Sequence, residues 1–262
     1  MAPVIAFRDV TKTFETGYTA LRDVDFAVEP ERFVALVGPS GCGKSTTLSL
    51  ISGLDRASSG VVEVRGKPVD GITEGIGFLF QRDALMPWKT VRDNVLLPLQ
   101  LRGVPRRDAL QRVAEWIARV GLRGFEASFP HQLSGGMRKR VSLAQTLVYD
   151  PEILLMDEPF SALDVQTRNL MEGELLDLWQ GSRKTVIFVT HDLEEAIALA
   201  DEVIVMTSGP ARVKVRYDVP LPRPRDIEKV RFEPRFTELY SKMWNDLRDE
   251  VLESYARATT AG

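Results

Sequence analysis

Residues 33–46 read FVALVGPSGCGKST and carry the strongest structural signal in the chain. Phe33–Val37 is an unbroken apolar run, which predicts a strand buried on both faces. Residues 38–46 follow it directly and match the pattern G-x-x-x-x-G-K-[ST]. Glycines in such a loop let backbone N–H groups converge on a phosphate, and the N-terminus of the next helix adds positive potential. The stretch therefore predicts a strand, a phosphate-binding loop and a helix in succession.

Every residue of this loop is a candidate for nucleotide binding. Lys44 would place a cation on the outer phosphates, and the Ser45 hydroxyl is a suitable ligand for Mg²⁺. Cys42 is the single cysteine of the chain, and we expect it to fill space in a loop whose chemistry a thiol reagent could disturb. The predicted nucleotide-binding residues of the loop are Gly38, Pro39, Ser40, Gly41, Cys42, Gly43, Lys44, Ser45 and Thr46.

A second apolar run, residues 153–156, ends in the acidic pair Asp157 and Glu158. Such a run predicts a buried strand, so carboxylates at its end require a reason. Beside a phosphate-binding loop, Asp157 would complete the surroundings of a Mg²⁺ ion, and Glu158 would polarise the water that attacks the phosphate. The alternative interpretation is a solvated strand end without a chemical role.

Further apolar runs at 76–80, Thr185–Thr190 and 203–206 alternate with helix-like patterns. Alternating strands and helices predict an α/β fold, in which a mainly parallel sheet has helices on both faces. Residues 5–28 and 60–69 are strand-like throughout and predict a small antiparallel sheet.

The composition is that of an ordinary folded protein, with 262 residues, 34 Lys+Arg against 37 Asp+Glu, and 44% hydrophobic residues. The formal net charge of −3 argues against a basic nucleic-acid-binding protein, and we expect no nucleic-acid partner. No apolar run reaches the roughly 18 residues of a membrane span, and the N-terminus lacks the pattern of a signal peptide. We therefore expect any membrane role to depend on a partner.

The character of the sequence changes near its end. Residues 219–226 (VPLPRPRD) are rich in proline and arginine and predict an extended connector. Apolar residues then recur at helical spacing over 236–251, which predicts an amphipathic helix. This helix either packs on its own domain or serves as a docking or regulatory element. We predict one domain over 1–218, with a helical subdomain at about 88–150, and an appendage over 219–262.

Five shorter motifs, read together with the phosphate-binding loop and the acidic pair, resemble those of ABC ATPases. The sequence LSGGM at 133–137 resembles the signature motif of that family. Gln81 resembles its Q-loop glutamine, and SALD at 161–164 resembles its D-loop. His191, directly after the run TVIFVT, resembles the switch histidine, and Phe14 resembles the aromatic residue that stacks on adenine.

The resemblance implies a P-loop NTPase fold of ABC type, with a helical signature subdomain beside the core sheet. It also implies a head-to-tail dimer in which each ATP lies between the phosphate loop of one copy and the signature of the other. Glu158, His191 and Gln81 would be catalytic, and Ser45, Gln81 and Asp157 would hold Mg²⁺. The other implied nucleotide-binding residues are Phe14, Asp164 in the D-loop and, acting across the dimer, Ser134, Gly135, Gly136 and Met137.

A finer resemblance is to the ATPases of nitrate, sulfonate and taurine importers. It rests on Met137, on Pro87-Trp88 after the Q-loop, and on the tail sequence LPRPRD. Lys139 and Gln145-Thr146 differ from the residues that are usual at these positions in the family, but these positions take no part in the phosphate chemistry. The resemblance implies membrane permease subunits as partners, a second copy of the chain and, indirectly, an extracytoplasmic solute-binding protein. It places the chain peripherally on the cytoplasmic face of the bacterial inner membrane.

Two other functions are compatible with the nucleotide motifs. One is a soluble ABC ATPase that acts as a mechanical switch without transport, although such proteins usually carry paired ATPase domains, coiled-coil inserts or basic arms. The other is a nucleotide-binding module without hydrolysis, and the presence of Glu158 and His191 argues against it.

Overall fold

The structure, a computed structural model, describes residues 2–182 and 184–260. The strands in this part of the chain are β1 (Ile5–Thr13), β2 (Thr19–Val28), β3 (Phe33–Val37), β4 (Ser59–Val64), β5 (Lys67–Pro68), β6 (Ile76–Leu79), β7 (Ile153–Asp157), β8 (Thr185–Thr190), β9 (Glu202–Met206) and β10 (Val213–Asp218). The helices are α1 (Lys44–Ser52), α2 (Val91–Leu101), α3 (Arg106–Arg119), α4 (Gly135–Leu147), α5 (Val165–Gln180), α6 (Leu193–Leu199), α7 (Ile227–Val230) and α8 (Pro234–Thr260).

A six-stranded sheet forms the centre of the fold, in the order β10-β9-β3-β8-β7-β6. All neighbours from β9 to β6 are parallel, and β10 pairs antiparallel with β9 at one edge. This confirms the predicted parallel core. The strand predicted over 76–80 is one residue shorter, because β6 ends at Leu79 and the next side chain, Phe80, turns out to solvent.

Alternate residues of β3 face different layers, as the two-residue repeat of a strand requires. Phe33, Ala35 and Val37 belong to an apolar core shared with α5, α6 and α8. Val34 and Leu36 belong to a second core, shared with α1 and the antiparallel sheet. All five side chains are fully buried, which is the environment that the unbroken apolar run predicts.

The strand-like segments near the N-terminus form a second, antiparallel sheet in the order β2-β1-β4-β5. Phe7 of β1 stacks on Phe26 of β2, with ring centroids 4.5 Å apart. The small antiparallel sheet predicted from residues 5–28 and 60–69 is therefore present, and it covers the α1 face of the central sheet.

Helices α2, α3 and α4 form a layer with an apolar core of its own. Val95 and Leu99 of α2, Val113 and Ile117 of α3, and Val141 of α4 are buried together in it. Since α4 begins immediately after the signature serine, this layer carries the signature motif.

The proline- and arginine-rich connector has no helix or strand, and it is bound to the domain rather than free. The buried guanidinium of Arg225 donates hydrogen bonds to the carbonyl oxygens of Ile197, Ala198 and Ala200 at 3.2, 3.1 and 2.7 Å. These carbonyls lie at the end of α6, where a helix lacks internal partners. Burial lowers the pKa of Arg225 to about 10, so the side chain is charged at neutral pH. The connector thus caps the helix that follows His191.

Arg225→Ala is expected to lower the free energy of unfolding by about 3 kcal/mol, because it leaves buried carbonyls unpaired and opens a cavity. Urea denaturation followed by circular dichroism measures the change. Arg235→Ala is the control, because Arg235 is half exposed and pairs with Glu238 on the surface of α8. Equal unfolding midpoints for the two variants would contradict the proposed cap.

The C-terminal helix α8 packs on its own domain, the first of the two alternatives left open by the sequence. Phe236, Leu239, Met243 and Leu247 are buried against the central core. Within residues 2–182 and 184–260, no helix is long and apolar enough to cross a membrane. The domain boundary at 218 and the 88–150 subdomain limits remain predictions, and Met1, Arg183, Ala261 and Gly262 of these spans lie outside the described residues.

Candidate active site

The sequence motifs converge because they follow strands that are neighbours in the sheet. Val37 of β3 pairs with Thr190 of β8, and Asp157 of β7 pairs with Val189 of β8. β6 lies on the other side of β7 and is parallel to it. Parallel strands place their carboxyl ends at one edge, where open α/β sheets bind ligands. This edge brings together the loop 38–46, Gln81, Asp157, Glu158 and His191.

The phosphate-binding loop needs glycine at two positions. A Cβ at Gly38 would lie 2.8 Å from Cys42 Sγ. Gly43, which precedes α1, has a φ of 104°, and a Cβ there would lie 2.7 Å from Leu21 Cδ2. The loop borders a cavity of about 320 Å³, lined by Tyr18, Ala20, Ser40, Gly41, Gly43, Lys44, Ser45, Thr46, Gln81 and Glu158.

A second cavity, of about 390 Å³, also borders the loop. Gly38, Pro39 and Ser40 line it together with His191 and the α8 residues Leu247, Val251 and Ser254. Of the predicted loop residues, Ser40 thus lines both cavities and the buried Cys42 lines neither, and residues of α8 share the second cavity with the switch histidine.

Lys44 is held within the loop itself. Its ammonium group donates to the carbonyl oxygens of Gly38 and Pro39 at 2.8 and 3.0 Å, and the residue is only 5% exposed. A buried ammonium ion carries its charge at small cost only where oxygen atoms surround it. The loop therefore holds a fixed positive charge at the edge of the first cavity.

The two residues of the acidic pair lie in different environments, and Asp157 is the one beside the phosphate-binding loop. Its carboxylate accepts a hydrogen bond from the Ser45 hydroxyl at 3.0 Å. Burial raises the pKa of the Asp157 carboxyl, while the bond from Ser45 lowers it. A hydroxyl, a carboxylate and the nearby Gln81 amide form a hard-oxygen donor set that suits Mg²⁺, which commonly takes one or two protein carboxylates and completes its shell with phosphates. In the described part of the chain, no cluster of three or more His, Cys, Asp or Glu residues forms a metal site.

The Glu158 carboxylate contacts both of the other predicted catalytic residues, His191 and Gln81. One carboxylate oxygen, Oε2, lies 3.2 Å from His191 Nδ1 and 3.3 Å from the Gln81 amide nitrogen. The Glu158 backbone has a φ of 42°, which is strained for a residue with a side chain. Its N–H donates to the Val189 carbonyl, which fixes this conformation beside β8. This conformation occurs at the residue whose carboxylate meets His191 and Gln81.

The aromatic residue beside the loop is Tyr18, which our reading of the sequence missed. Its hydroxyl donates to the Gly41 carbonyl at 3.0 Å, and its ring lines the first cavity. Phe14, predicted to stack on adenine, is exposed and lies nearly parallel to Tyr18 with centroids 6.4 Å apart. No local pattern marks Tyr18, because its contact with Gly41 depends on the fold. The role of Phe14 stays a prediction.

The signature and D-loop residues act as helix caps within one copy of the chain. Ser134 Oγ accepts from the Met137 N–H at 3.2 Å, and the Asp164 carboxylate accepts from the Thr167 N–H and hydroxyl at 3.0 and 2.7 Å. The signature lies close to α5, the helix that follows the D-loop, since a Cβ at Gly136 would lie 2.8 Å from Thr167 Cγ2. Neither motif lines the two cavities at the loop, so their contacts with ATP across a dimer stay predictions.

Cys42 is 1% exposed, and burial raises the pKa of its thiol although the nearby Lys44 lowers it. The thiolate is the reactive form, so native protein at neutral pH is expected to react with a thiol reagent at least about tenfold more slowly than protein unfolded in guanidinium. The rate should rise with pH. Cys42→Ser gives the background, and equal rates for native and unfolded protein would contradict the burial.

Residues 21–161 match the family model described as ABC transporter. The chain belongs to the ABC transporter family. An uncharacterized ABC transporter ATP-binding protein of Methanocaldococcus jannaschii is 47% identical over 94% of this chain and 92% of its own length. The taurine import ATP-binding protein of Rhizobium johnstonii is 43% identical over 84% of this chain and 86% of its own.

Other relatives and a solved structure extend the comparison. Import ATP-binding proteins for aliphatic sulfonates in Bacillus cereus and for nitrate in Synechococcus elongatus are 39% and 41% identical. A dimeric ATP-binding cassette in a post-hydrolysis state with ADP and phosphate superposes with a TM-score of 0.73 at 31% identity, over 83% of this chain and 100% of that one. These findings confirm the predicted ABC fold and an ATPase activity.

Proposed function

We propose that this chain is the ATP-hydrolysing subunit of an importer that moves a small oxyanion or organosulfur compound through a membrane permease. The observation that carries the proposal is the Glu158 carboxylate, held by Gln81 and His191 beside the phosphate-binding loop. The import functions named for the taurine, sulfonate and nitrate relatives support the transport step and the substrate class.

The loop would bind the phosphates of ATP through its backbone N–H groups and the Lys44 ammonium. The cavity at the loop is bordered by Gly41, Gly43 and Lys44, whose backbone N–H groups and ammonium group could donate to phosphate oxygens. Tyr18, fixed to Gly41, would close one side of this cavity. Phe14 remains our candidate for stacking on adenine.

Ser45, Asp157 and Gln81 would hold Mg²⁺ bound with the nucleotide. When bound, the ion neutralises charge on the phosphate oxygens. The hydrogen bond between Ser45 and Asp157 already aligns two of these side chains. Burial raises the pKa of the Asp157 carboxyl, and a cation beside it would favour the charged carboxylate.

Glu158 would activate the attacking water. The water oxygen bonds to the γ-phosphorus as the bond from that phosphorus to the ADP oxygen breaks, and the carboxylate takes up the water proton. His191 and Gln81 hold the carboxylate in place, and His191, which lies largely exposed at the end of β8, can also contact the γ-phosphate. This arrangement orients the reacting atoms rather than forming a covalent intermediate with the chain.

The active unit would be two copies arranged head to tail. Ser134, Gly135, Gly136 and Met137 of one copy would cover the ATP held by the loop of the other, with Asp164 at the same interface. The dimeric cassette with ADP and phosphate supports this arrangement. Such closure surrounds the γ-phosphate with donors and excludes water other than the reacting one.

The permease would bind at the segment that contains Pro87 and Trp88. Trp88 is 72% exposed, unusually for so large an apolar side chain, and it follows the segment of Gln81, which would respond to bound nucleotide. The chain would thus lie peripherally at the cytoplasmic face of the membrane, with a solute-binding protein delivering the substrate outside.

The test is co-purification from native membranes. Tagged Glu158→Gln is incubated with Mg·ATP, extracted in mild detergent and analysed by mass spectrometry for stoichiometric partners. A multi-span protein is the expected partner, and Glu158→Gln/Trp88→Glu should lose it. Glu158→Gln/Ile72→Glu, changed at an equally exposed position, should retain it. Soluble partners alone would contradict the proposal and favour the mechanical-switch function.

The substrate class has its own test. The reconstituted transporter, with its permease and solute-binding protein in liposomes, is supplied with taurine, an alkanesulfonate, nitrate or a sugar. ATP hydrolysis should rise with one of the first three and not with the sugar. Stimulation by the sugar alone would contradict the assigned class.

A further inference from the structure

A buried lysine joins the signature helix to the Gln81 segment. Lys139, in the second turn of α4, is 5% exposed. Its ammonium group donates to the carbonyl oxygens of Phe80 and Gln81 at 3.2 and 2.7 Å and pairs with Asp83 Oδ1 at 3.2 Å. Two carbonyl oxygens of one short segment thus accept hydrogen bonds from the ammonium group, and Asp83 Oδ1 lies within ion-pair distance without accepting a hydrogen bond.

The neighbouring arginine extends this connection to the signature itself. Arg138 Nε lies 3.3 Å from Asp83 Oδ2, and its Nη1 donates to the Leu133 carbonyl at 2.7 Å. Leu133 directly precedes Ser134. A continuous set of charged contacts therefore runs from the Gln81 backbone, through Lys139, Asp83 and Arg138, to the start of the signature motif.

The two ends of this set would belong to different ATP sites. The Gln81 side chain contacts Glu158 in the site of its own copy. Ser134, in the proposed dimer, covers the ATP of the partner copy. We propose that Asp83, Arg138 and Lys139 are positioning residues that couple the nucleotide state of one site to the placement of the signature in the other. This inference rests on the proposed composite site.

The physical basis is the cost of separating these groups. Lys139 is buried, so moving the Gln81 segment away from α4 would leave an ammonium ion and two carbonyls without partners. The segment and the N-terminal end of α4 are therefore expected to move as one body when ATP displaces Gln81. Lys139, which differs from the residue usual at this position in the family, has this role through its hydrogen bonds to the Gln81 segment.

The test uses Lys139→Gln, which keeps a polar side chain but loses the charge. Binding of the fluorescent nucleotide mant-ATP should stay within about twofold, because α1 and the loop are untouched, whereas ATP-dependent dimerisation in a Glu158→Gln background should weaken about tenfold. In the otherwise natural chain, kcat should fall about tenfold with little change in KM. Lys242→Gln, in an exposed pair with Glu238 on α8, is the control and should change none of these.

Two further variants separate coupling from folding. Asp83→Asn should reproduce part of the loss, and the double variant Lys139→Gln/Asp83→Asn should lose less than the sum of the two single losses, since both variants remove the ion pair between Lys139 and Asp83. Lys139→Arg, which retains charge and donors, should restore most of the activity. Melting temperatures are measured for every variant.

The outcomes distinguish this inference from the proposed function. Unchanged kcat and dimerisation in Lys139→Gln would overturn the coupling, as would a parallel loss of mant-ATP binding and thermal stability, which marks a merely structural role. If the Glu158→Gln parent itself forms no ATP-dependent dimer, the composite site fails and the coupling with it.

Discussion

Glu158→Gln is expected to reduce the rate of ATP hydrolysis by about a thousandfold while leaving ATP binding nearly unchanged. The amide has the size of the carboxylate but cannot take up the proton of the attacking water. In Glu158, Gln81 and His191 both contact the same carboxylate oxygen, Oε2. The amide oxygen of a glutamine can take the place of that oxygen, so the variant side chain should keep its position. Phosphate release at saturating Mg·ATP gives kcat, and mant-ATP binding gives the affinity.

A matched control lies at the opposite end of the same strand. Glu152 directly precedes β7, is largely exposed and pairs with Arg65, so Glu152→Gln should hydrolyse ATP normally. If Glu158→Gln kept the wild-type kcat, Glu158 would have no part in activating water.

Lys44→Ala is expected to weaken ATP binding by at least about a hundredfold, because it removes a charge that pairs with phosphate in a site bordered by low-dielectric protein. The loss should appear in the binding constant as well as in kcat. Isothermal titration with Mg·ATP measures it, and Lys229→Ala, at a largely exposed position on α7, should bind ATP as the natural chain does.

Folding of the variant is checked separately, because Lys44 also donates to Gly38 and Pro39. A melting temperature close to that of the natural chain shows that the loop still forms. Micromolar ATP binding by a folded Lys44→Ala protein would contradict the assignment of the phosphate loop.

Much of the candidate site could be predicted from the sequence, because the carboxyl ends of parallel strands all lie at the same edge of the sheet. Each apolar run predicted a strand, and the polar residue after it had to lie at the common edge. This rule predicts that Gln81 and His191 lie close to the Glu158 carboxylate. Their distances do not, since these depend on the strained backbone of Glu158.

Three helices, α2, α5 and the four-residue α7, were not recognised in the sequence, and for the first two the reason is identifiable. α2 contains Pro98, which ordinarily argues against a helix, and the buried Asn94 amide that bonds to Met86, Lys89 and Thr90 is polar. In α5, Val165 and Leu170 face solvent while Glu172 is fully buried. The helical spacing of apolar residues is therefore weak in α2 and α5, and tertiary contacts determine that these segments are helices.

The contacts of Tyr18 and Lys139 could not be predicted because they join distant parts of the chain. Tyr18 reaches Gly41 from the start of β2, and Lys139 reaches Gln81 from another layer of the fold. Asp192 and Glu195 have the spacing of a capping box at the start of α6, and Asp192 does cap the helix, but the Glu195 carboxylate accepts from the Thr190 hydroxyl at 2.6 Å. Such choices depend on packing rather than on local spacing.

The most direct measurement is sedimentation velocity of the Glu158→Gln protein with Mg·ATP and, separately, with Mg·ADP. Hydrolysis is blocked in this variant, so ATP remains between the two copies if the site is composite. We predict a dimer with ATP and a monomer with ADP, and Ser134→Arg in the same background should abolish the ATP dimer. A monomer under both conditions, at nucleotide concentrations that saturate binding, would contradict the composite ATPase site.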